Sequence, residues 1–364
     1  MKKIYLSFSL IVPLFLAAQK NVDLDRFHFT AQYRSLPSLR LDTTYRTYNV
    51  EVGGSQLMES ALSKISPEKS VLLEGWRKLE STGHITVRVT IEDILPVSVS
   101  VKERVENKKN ANGQVIGTRT LYHEEVVYTF AARAGIADYK GAHIMDIELD
   151  DRSYKKVHSG PEFALKGMAE GYFLLNAVTI TSDLYRSCVN SSMHYLSEQL
   201  NDNFGFSEVS VKDMMWIIGN RKHPEYAAHR QAFQQFNEAI FSMTASSPLD
   251  DTREKMKPVI AYFESIKKNY PSTSKHDRKI RYASYYNLAV IYYYLDDPQR
   301  MMAEAKGLEL NDFDAKDAKG FEQSAIRLKN LFQQTNIYTR HFEIDPSAFK
   351  GPYEEGTVLA TQRE

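Results

Sequence analysis

The chain has 364 residues, with Lys+Arg and Asp+Glu both at 46, 43% hydrophobic residues and one cysteine. Balanced charge supplies no strong field for nucleic acid or an anionic lipid surface, so nucleic acid is not an expected partner. A single cysteine excludes an internal disulfide and a multi-thiolate zinc site, and packing alone must hold the fold.

Met1-Lys2-Lys3 forms a short positive segment, residues 4–16 are almost wholly apolar, and Ala17-Ala18 end the run with small residues. This is the pattern of a secretory signal, with cleavage expected after Ala18. The apolar run is shorter than the roughly 20 residues that span a bilayer, and Pro13 interrupts it, so the mature chain is expected to have no membrane span. Lipid attachment requires a cysteine just after the small residues, where this chain has Gln19; its cysteine is Cys188. An exported protein follows, periplasmic or held peripherally at the outer membrane by protein contacts. Removal of residues 1–18 leaves 346, more than one ordinary core encloses, and two domains are expected.

Residues 19–158 read as β-rich. Residues 26–33 and 45–52 are β-propensity runs with partial period-two alternation, separated by Leu36-Pro37-Ser38, and read as a hairpin or a crossing between sheets. Ile85, Val87, Val89 and Ile91 share one strand face, and Val97, Val99, Val101 and Val105 repeat the pattern after Pro96. Asn110-Ala111-Asn112-Gly113 marks a turn before residues 118–130, and Lys140-Gly141 precedes residues 143–149. Strands at this spacing predict an antiparallel sandwich, with residues 56–65 and 70–79 as short helical connections.

After Gly160-Pro161 the apolar period becomes helical, through Met168, Tyr172, Leu175, Leu184 and Cys188 to Asn203-Phe204-Gly205. Residues 209–218 fit a strand or a turn of helix, and 159–224 form a mixed connecting region. Helices then run from 225 to 342. Residues 343–364, with Pro346, Gly351, Pro352 and Gly356 and few apolar positions, are expected to form a loose tail. The fold class is therefore α+β, an N-terminal antiparallel sandwich-like domain followed by a C-terminal helical one.

Within the helical part, Val259, Phe263, Ile266 and Pro271 reproduce the small, aromatic, aliphatic and proline spacing of a second tetratricopeptide helix. Tyr285, Leu288, Ala289 and Tyr292 fit a first helix, Asp296-Asp297-Pro298 replaces the usual turn, and Met301, Ala305 and Leu308 follow as its partner. Residues 228–332 thus resemble tetratricopeptide repeats, as about two degenerate units with an insertion at 272–280. The resemblance implies a stacked helical surface that receives a protein or peptide. Tyr282, Tyr285, Tyr286, Tyr292, Tyr293 and Tyr294 are too many within thirteen positions to face one core, and form the candidate partner or ligand surface.

Signatures of a nucleophile elbow, a zinc-protease helix and a phosphate loop are absent from the sequence. His341, Glu343 and Asp345 alternate in the pattern of metal ligands on one strand face, but beside a loose tail they are expected to titrate in solvent. His123-Glu124-Glu125 and His223-Pro224-Glu225 read as strand-surface or turn residues. Residues 311–319, with Asp312, Asp314 and Asp317, lack the glycine and terminal glutamate of a calcium loop, and read as an inter-helix loop. No catalytic, cofactor or metal residues are assigned. The expected function is a non-enzymatic envelope interaction or scaffold protein. The alternatives are glycan capture in an outer-membrane uptake system, since starch-utilisation-type binding proteins also combine such helices with export, and an unrecognised envelope hydrolase with dispersed carboxylates.

Overall fold

The structure, a computed structural model, describes residues 22–54 and 65–354. The expected signal segment, most of the connection at 56–65 and residues 355–364 lie outside the described residues. The α+β class holds, and the chain forms two compact units. Unit 1 contains residues up to Tyr33 and Ser210–Phe332; unit 2 contains Arg34–Val209 and the residues from Gln333 onward. The first strand therefore belongs with the helices, because its apolar side is covered by them and not by the other strands.

In unit 1, strand β1 (Leu24–Arg34) pairs with β10 (Glu208–Ile218), settling the ambiguous segment at 209–218 as strand. Helices α2 (Tyr226–Phe241), α3 (Asp250–Asn269), α4 (Lys275–Tyr294), α5 (Pro298–Asn311) and α6 (Lys316–Thr335) follow. Contacts join α2 with α3, α3 with α4, and α4 with α5. Phe29 and Ala31 of β1 and Met215 and Ile217 of β10 enter one core with Phe236, Val259, Phe263, Leu288 and Tyr294. Val259, Phe263 and Ile266 are fully buried. Caps set the helix starts: Ser274 accepts the Asp277 amide at α4, and Asp297 accepts the Arg300 amide at α5, where Pro298 occupies the first turn. The Asn287 side chain, fully buried in α4, donates to the Trp216 carbonyl at 2.8 Å and accepts the Trp216 amide at 2.9 Å. It thereby satisfies main-chain groups of β10 inside the core.

Unit 2 contains a five-stranded sheet of order β3-β2-β4-β7-β8 and a three-stranded sheet of order β5-β6-β9. The strands are β2 (Thr47–Gly54), β3 (Arg77–Lys78), β4 (Ile85–Ile91), β5 (Leu95–Lys109), β6 (Val115–Thr129), β7 (Ala132–Asp138), β8 (His143–Asp150) and β9 (Lys156–Ser159). Ile85, Val87, Val89 and Ile91 are all buried, as their alternation requires. The antiparallel expectation is corrected in the larger sheet, where β2 lies parallel to both β3 and β4. Period-two alternation identifies strand faces but carries no information on direction, and residues 45–52 are the crossing alternative rather than half of a hairpin with 26–33. The expected helical connection at 70–79 is reduced to one turn at Pro67–Ser70, followed by β3. Gly113, at φ +80°, turns β5 into β6, and the Asn110 carboxamide accepts the Asn112 and Gln114 amides. Helix α1 (Lys166–Phe204) packs its C-terminal half on strands β6 and β8, burying Tyr185, Cys188, Val189, Met193, Leu196 and Leu200.

Two expectations for the C-terminus are corrected. Helix ends at Thr335, not near 342, with Asn336 at φ +56° breaking the helical path. Residues 343–354 are also anchored rather than loose. Arg77 donates to the Phe349 carbonyl at 2.6 Å and to Glu354 at 2.9 Å, while Arg340, His341 and Gly351 are buried.

A buried histidine makes unit 1 sensitive to acid. Both ring nitrogens of His229 lack hydrogen-bond partners among the described residues, and the ring lies edge-on to Tyr262 and Phe263 at 5.8 and 5.3 Å. Burial holds its pKa down at about 3. An unfolded histidine titrates near 6.5, so the unfolded state takes up the proton first, and stability falls as pH drops from about 6.5 towards 3. The expected loss between pH 6.5 and pH 5 is about 2 kcal/mol. His229→Phe should abolish this component in urea denaturation at the two pH values; an unchanged pH dependence would contradict the assignment.

Candidate functional site

The tyrosine cluster is first a set of packing groups within unit 1. Tyr282, Tyr292 and Tyr294 are buried, and Tyr285, Tyr286 and Tyr293 are half-buried. The Tyr282 hydroxyl donates to Asp317 at 2.6 Å and that of Tyr294 to Asp213 at 2.8 Å. Burial and these carboxylates push both phenols well above their ordinary range, and burial moves Tyr286 up to about 12. The ring of Tyr285 lies under the Lys267 ammonium at 4.9 Å and against Gly307, where any Cβ would collide with it. Tyr293 and Tyr294 alone of the six line a cleft, of about 320 Å³, with Tyr33, Lys212, Asp213 and Met301. The face offered for stacking is thus much smaller than six rings.

The histidine–carboxylate groups are distributed differently from the sequence reading. His341 is buried, not solvated. His223 is also buried, in a turn, accepting the Glu225 amide at 3.1 Å, and the Glu225 carboxylate accepts the hydroxyls of Tyr262 and Tyr270. Asp312 pairs with Arg278 at 2.8 Å and Asp317 is engaged by Tyr282, so the 311–319 acids serve helix packing. Among the described residues, no group of three or more His, Cys, Asp or Glu is placed to hold a metal ion.

Glu124 overturns its reading as a surface residue. It is 1% exposed on β6, and neither carboxylate oxygen has a hydrogen-bond partner among the described residues. Its parity on β6 is that of buried Val126 and Tyr128, and the return of the chain beside the strand adds to the cover, where the Gly160 amide donates to the Glu124 carbonyl and Phe163 bridges to Tyr122.

A cavity of about 440 Å³ lies in unit 2. Its walls bring together the segment 37–46, Trp76, Phe204 at the end of α1 with Phe206 just beyond it, and residues 333–337. Trp76 is held by its indole N–H, which donates to the Phe204 carbonyl at 2.8 Å and leaves the ring face apolar. The Arg46 guanidinium lies over the Phe206 ring at 5.2 Å and donates to the Tyr45 carbonyl at 2.7 Å. Burial lowers its pKa. Asp42 is on the same wall, its Oδ1 accepting the Thr44 amide and hydroxyl, which hold the carboxyl below its usual range. Gln334 donates to the Ser38 carbonyl and ties the last wall to the first. Aromatic planes, a guanidinium and amides are groups of recognition. The residues come from four separate stretches of chain, and no local motif joins them.

A third feature is the N-terminal half of α1. From Gly171 to Ser182 the helix carries no charge. Leu174, Leu175 and Val178 are 79%, 87% and 82% exposed. Among the described residues, no helix is long and apolar enough to cross a membrane.

No family model and no curated protein matches the chain. Among solved structures, a minor lipoprotein from Acinetobacter baumannii is similar at 12% identity over 45% of this chain and 96% of that one, with a TM-score of 0.19. A likeness at that level bears on neither fold nor function.

Burial raises the pKa of Glu124, so the folded state holds its proton more tightly than the unfolded chain does. Its contribution to stability is present at low pH and lost as pH rises through the folded value. Glu124→Gln should therefore stabilise unit 2 at pH 8 by about 1 kcal/mol, with no gain near pH 4. Denaturant midpoints at both values check this; a destabilised variant at pH 8 would show that the charge has a partner.

Proposed function

We propose that this protein is an exported component of the cell envelope that binds a protein or peptide partner without transforming it. The leader pattern of residues 1–18 supports export. The successive packing of α2 to α5, with buried Val259, Phe263 and Ile266, is in keeping with the tetratricopeptide resemblance and with a scaffold role.

One observation carries the reading: the bare aliphatic face of α1. Scattered exposed apolar residues are normal, but three large aliphatic side chains at helical spacing, each about four-fifths exposed on an uncharged stretch, characterise a surface that a partner covers. Glycan capture lacks comparable support, since three of the six tyrosines offered for it are buried.

Photo-crosslinking in the native host tests the proposal. A photoreactive phenylalanine in place of Leu175 or Val178 should give a discrete adduct with one envelope protein. The same group in place of Glu198, an exposed position further along α1, should give none. Equal or absent adducts at the three positions would refute the partner face.

A further inference from the structure

The cavity of unit 2 has a charge arrangement that indicates its occupant. Arg34, Arg77, Arg88, Arg104, Arg119, Arg152 and Arg186 in this unit each pair with a carboxylate. Arg40 and Arg46, both on the cavity wall, have no carboxylate within ion-pair distance among the described residues, and neither has exposed Arg133 on β7, away from the cavity. A half-buried guanidinium without a counter-charge is a costly arrangement unless something supplies the anion. Asp42 reaches Arg46 only at longer range and is already engaged by Thr44. With two arginines and one aspartate on the wall, the cavity carries one net positive charge. That balance suits a monoanion, whereas a dianionic phosphate would meet Asp42 as a like charge.

The remaining surface selects the rest of the molecule. Trp76 spends its N–H on the protein, and its ring joins Leu39, Leu41 and Ile337 in an apolar lining, with Phe204 and Phe206 almost wholly buried at its base. Arg46, stacked over Phe206, has one hydrogen bond to the described protein, through Nη1. Its other N–H groups suit the two oxygens of a carboxylate. A volume of about 440 Å³ falls at the lower end of small-molecule sites. We propose that this cavity binds a monocarboxylate with an apolar body, the carboxylate on Arg46 and the body along the wall that Leu39, Leu41, Trp76 and Ile337 form. Two sources share that chemistry, a free aliphatic acid and the C-terminus of a peptide ending in an apolar residue.

Trp76 and Trp216 are the two tryptophans of the chain, so Trp216→Phe leaves Trp76 as the only indole reporter. In that full-length background, octanoate should change Trp76 emission saturably, and octanol, with the same body and no charge, should bind at least about tenfold more weakly. Octyl phosphate, dianionic at pH 8, should also bind more weakly than octanoate. Arg46→Met should weaken octanoate by about tenfold or more, with Arg46→Lys intermediate. A peptide ending in Ala-Leu with a free carboxylate, compared with its amide, separates the sources: tighter binding than octanoate, lost on amidation, assigns a chain terminus, and the reverse order assigns a free acid. The octanoate–octanol comparison needs no cavity variant, so misfolding of Arg46→Met would not obscure it. Equal affinities for octanoate and octanol, or no saturable change up to about 10 mM, would overturn the proposal.

Discussion

The guanidinium of Arg34 joins three stretches of chain that are distant in sequence. It is buried, donates to the Phe206 carbonyl at 2.8 Å and the Phe342 carbonyl at 3.3 Å, and pairs with Glu208 at 3.1 Å. Its own amide donates to the Arg340 carbonyl at 2.8 Å. The Phe206 and Phe342 rings meet edge to face at 6.0 Å, with Arg34 over one and Arg46 over the other. A rigid planar fork holds its donors in fixed directions towards several main-chain acceptors, where the flexible lysine ammonium is a single point charge. The walls of the cavity depend on this junction, because neither the segment after α1 nor the segment after α6 has regular structure of its own where they meet.

The legible parts of the fold were those governed by period. Ile85 to Ile91 alternate because one strand face is buried, and Val259, Phe263 and Ile266 recur because one helix face is. The Asn110–Gly113 turn was readable from its chemistry. Strand direction was not, since alternation is the same in parallel and antiparallel pairs. Nor was the anchored C-terminal segment: arginine bonds to main-chain carbonyls hold it, and they leave no apolar rhythm in the sequence. The tail looked loose because Pro346, Gly351 and Pro352 interrupt any period, yet Arg77 holds its backbone at Phe349 and Arg34 holds residues 340–342 just before it.

The candidate sites divide in the same way. The tyrosine cluster was conspicuous in sequence, but hydrogen bonds to Asp213 and Asp317 draw much of it into the core. Arg46, Trp76 and Phe206 become a site only through tertiary contacts, and nothing local to any of them announces it. Glu124 shares the core-facing parity of Val126 and Tyr128 on β6, and its charge beside His123 and Glu125 masks that placement in the sequence. The aliphatic face of α1 was visible as apolar periodicity, but period alone cannot distinguish a face that meets the core from one left bare. The cavity with Arg40 and Arg46 on its wall and the uncovered aliphatic face of α1 thus lie on one unit.

Hydrogen exchange on the Arg34→Lys variant tests most directly whether that one guanidinium organises the cavity wall. The account predicts faster exchange at Ser35 and across residues 337–342 and 206–208, with the amides of β4 and β7 keeping their protection. Unchanged exchange in those segments would contradict it.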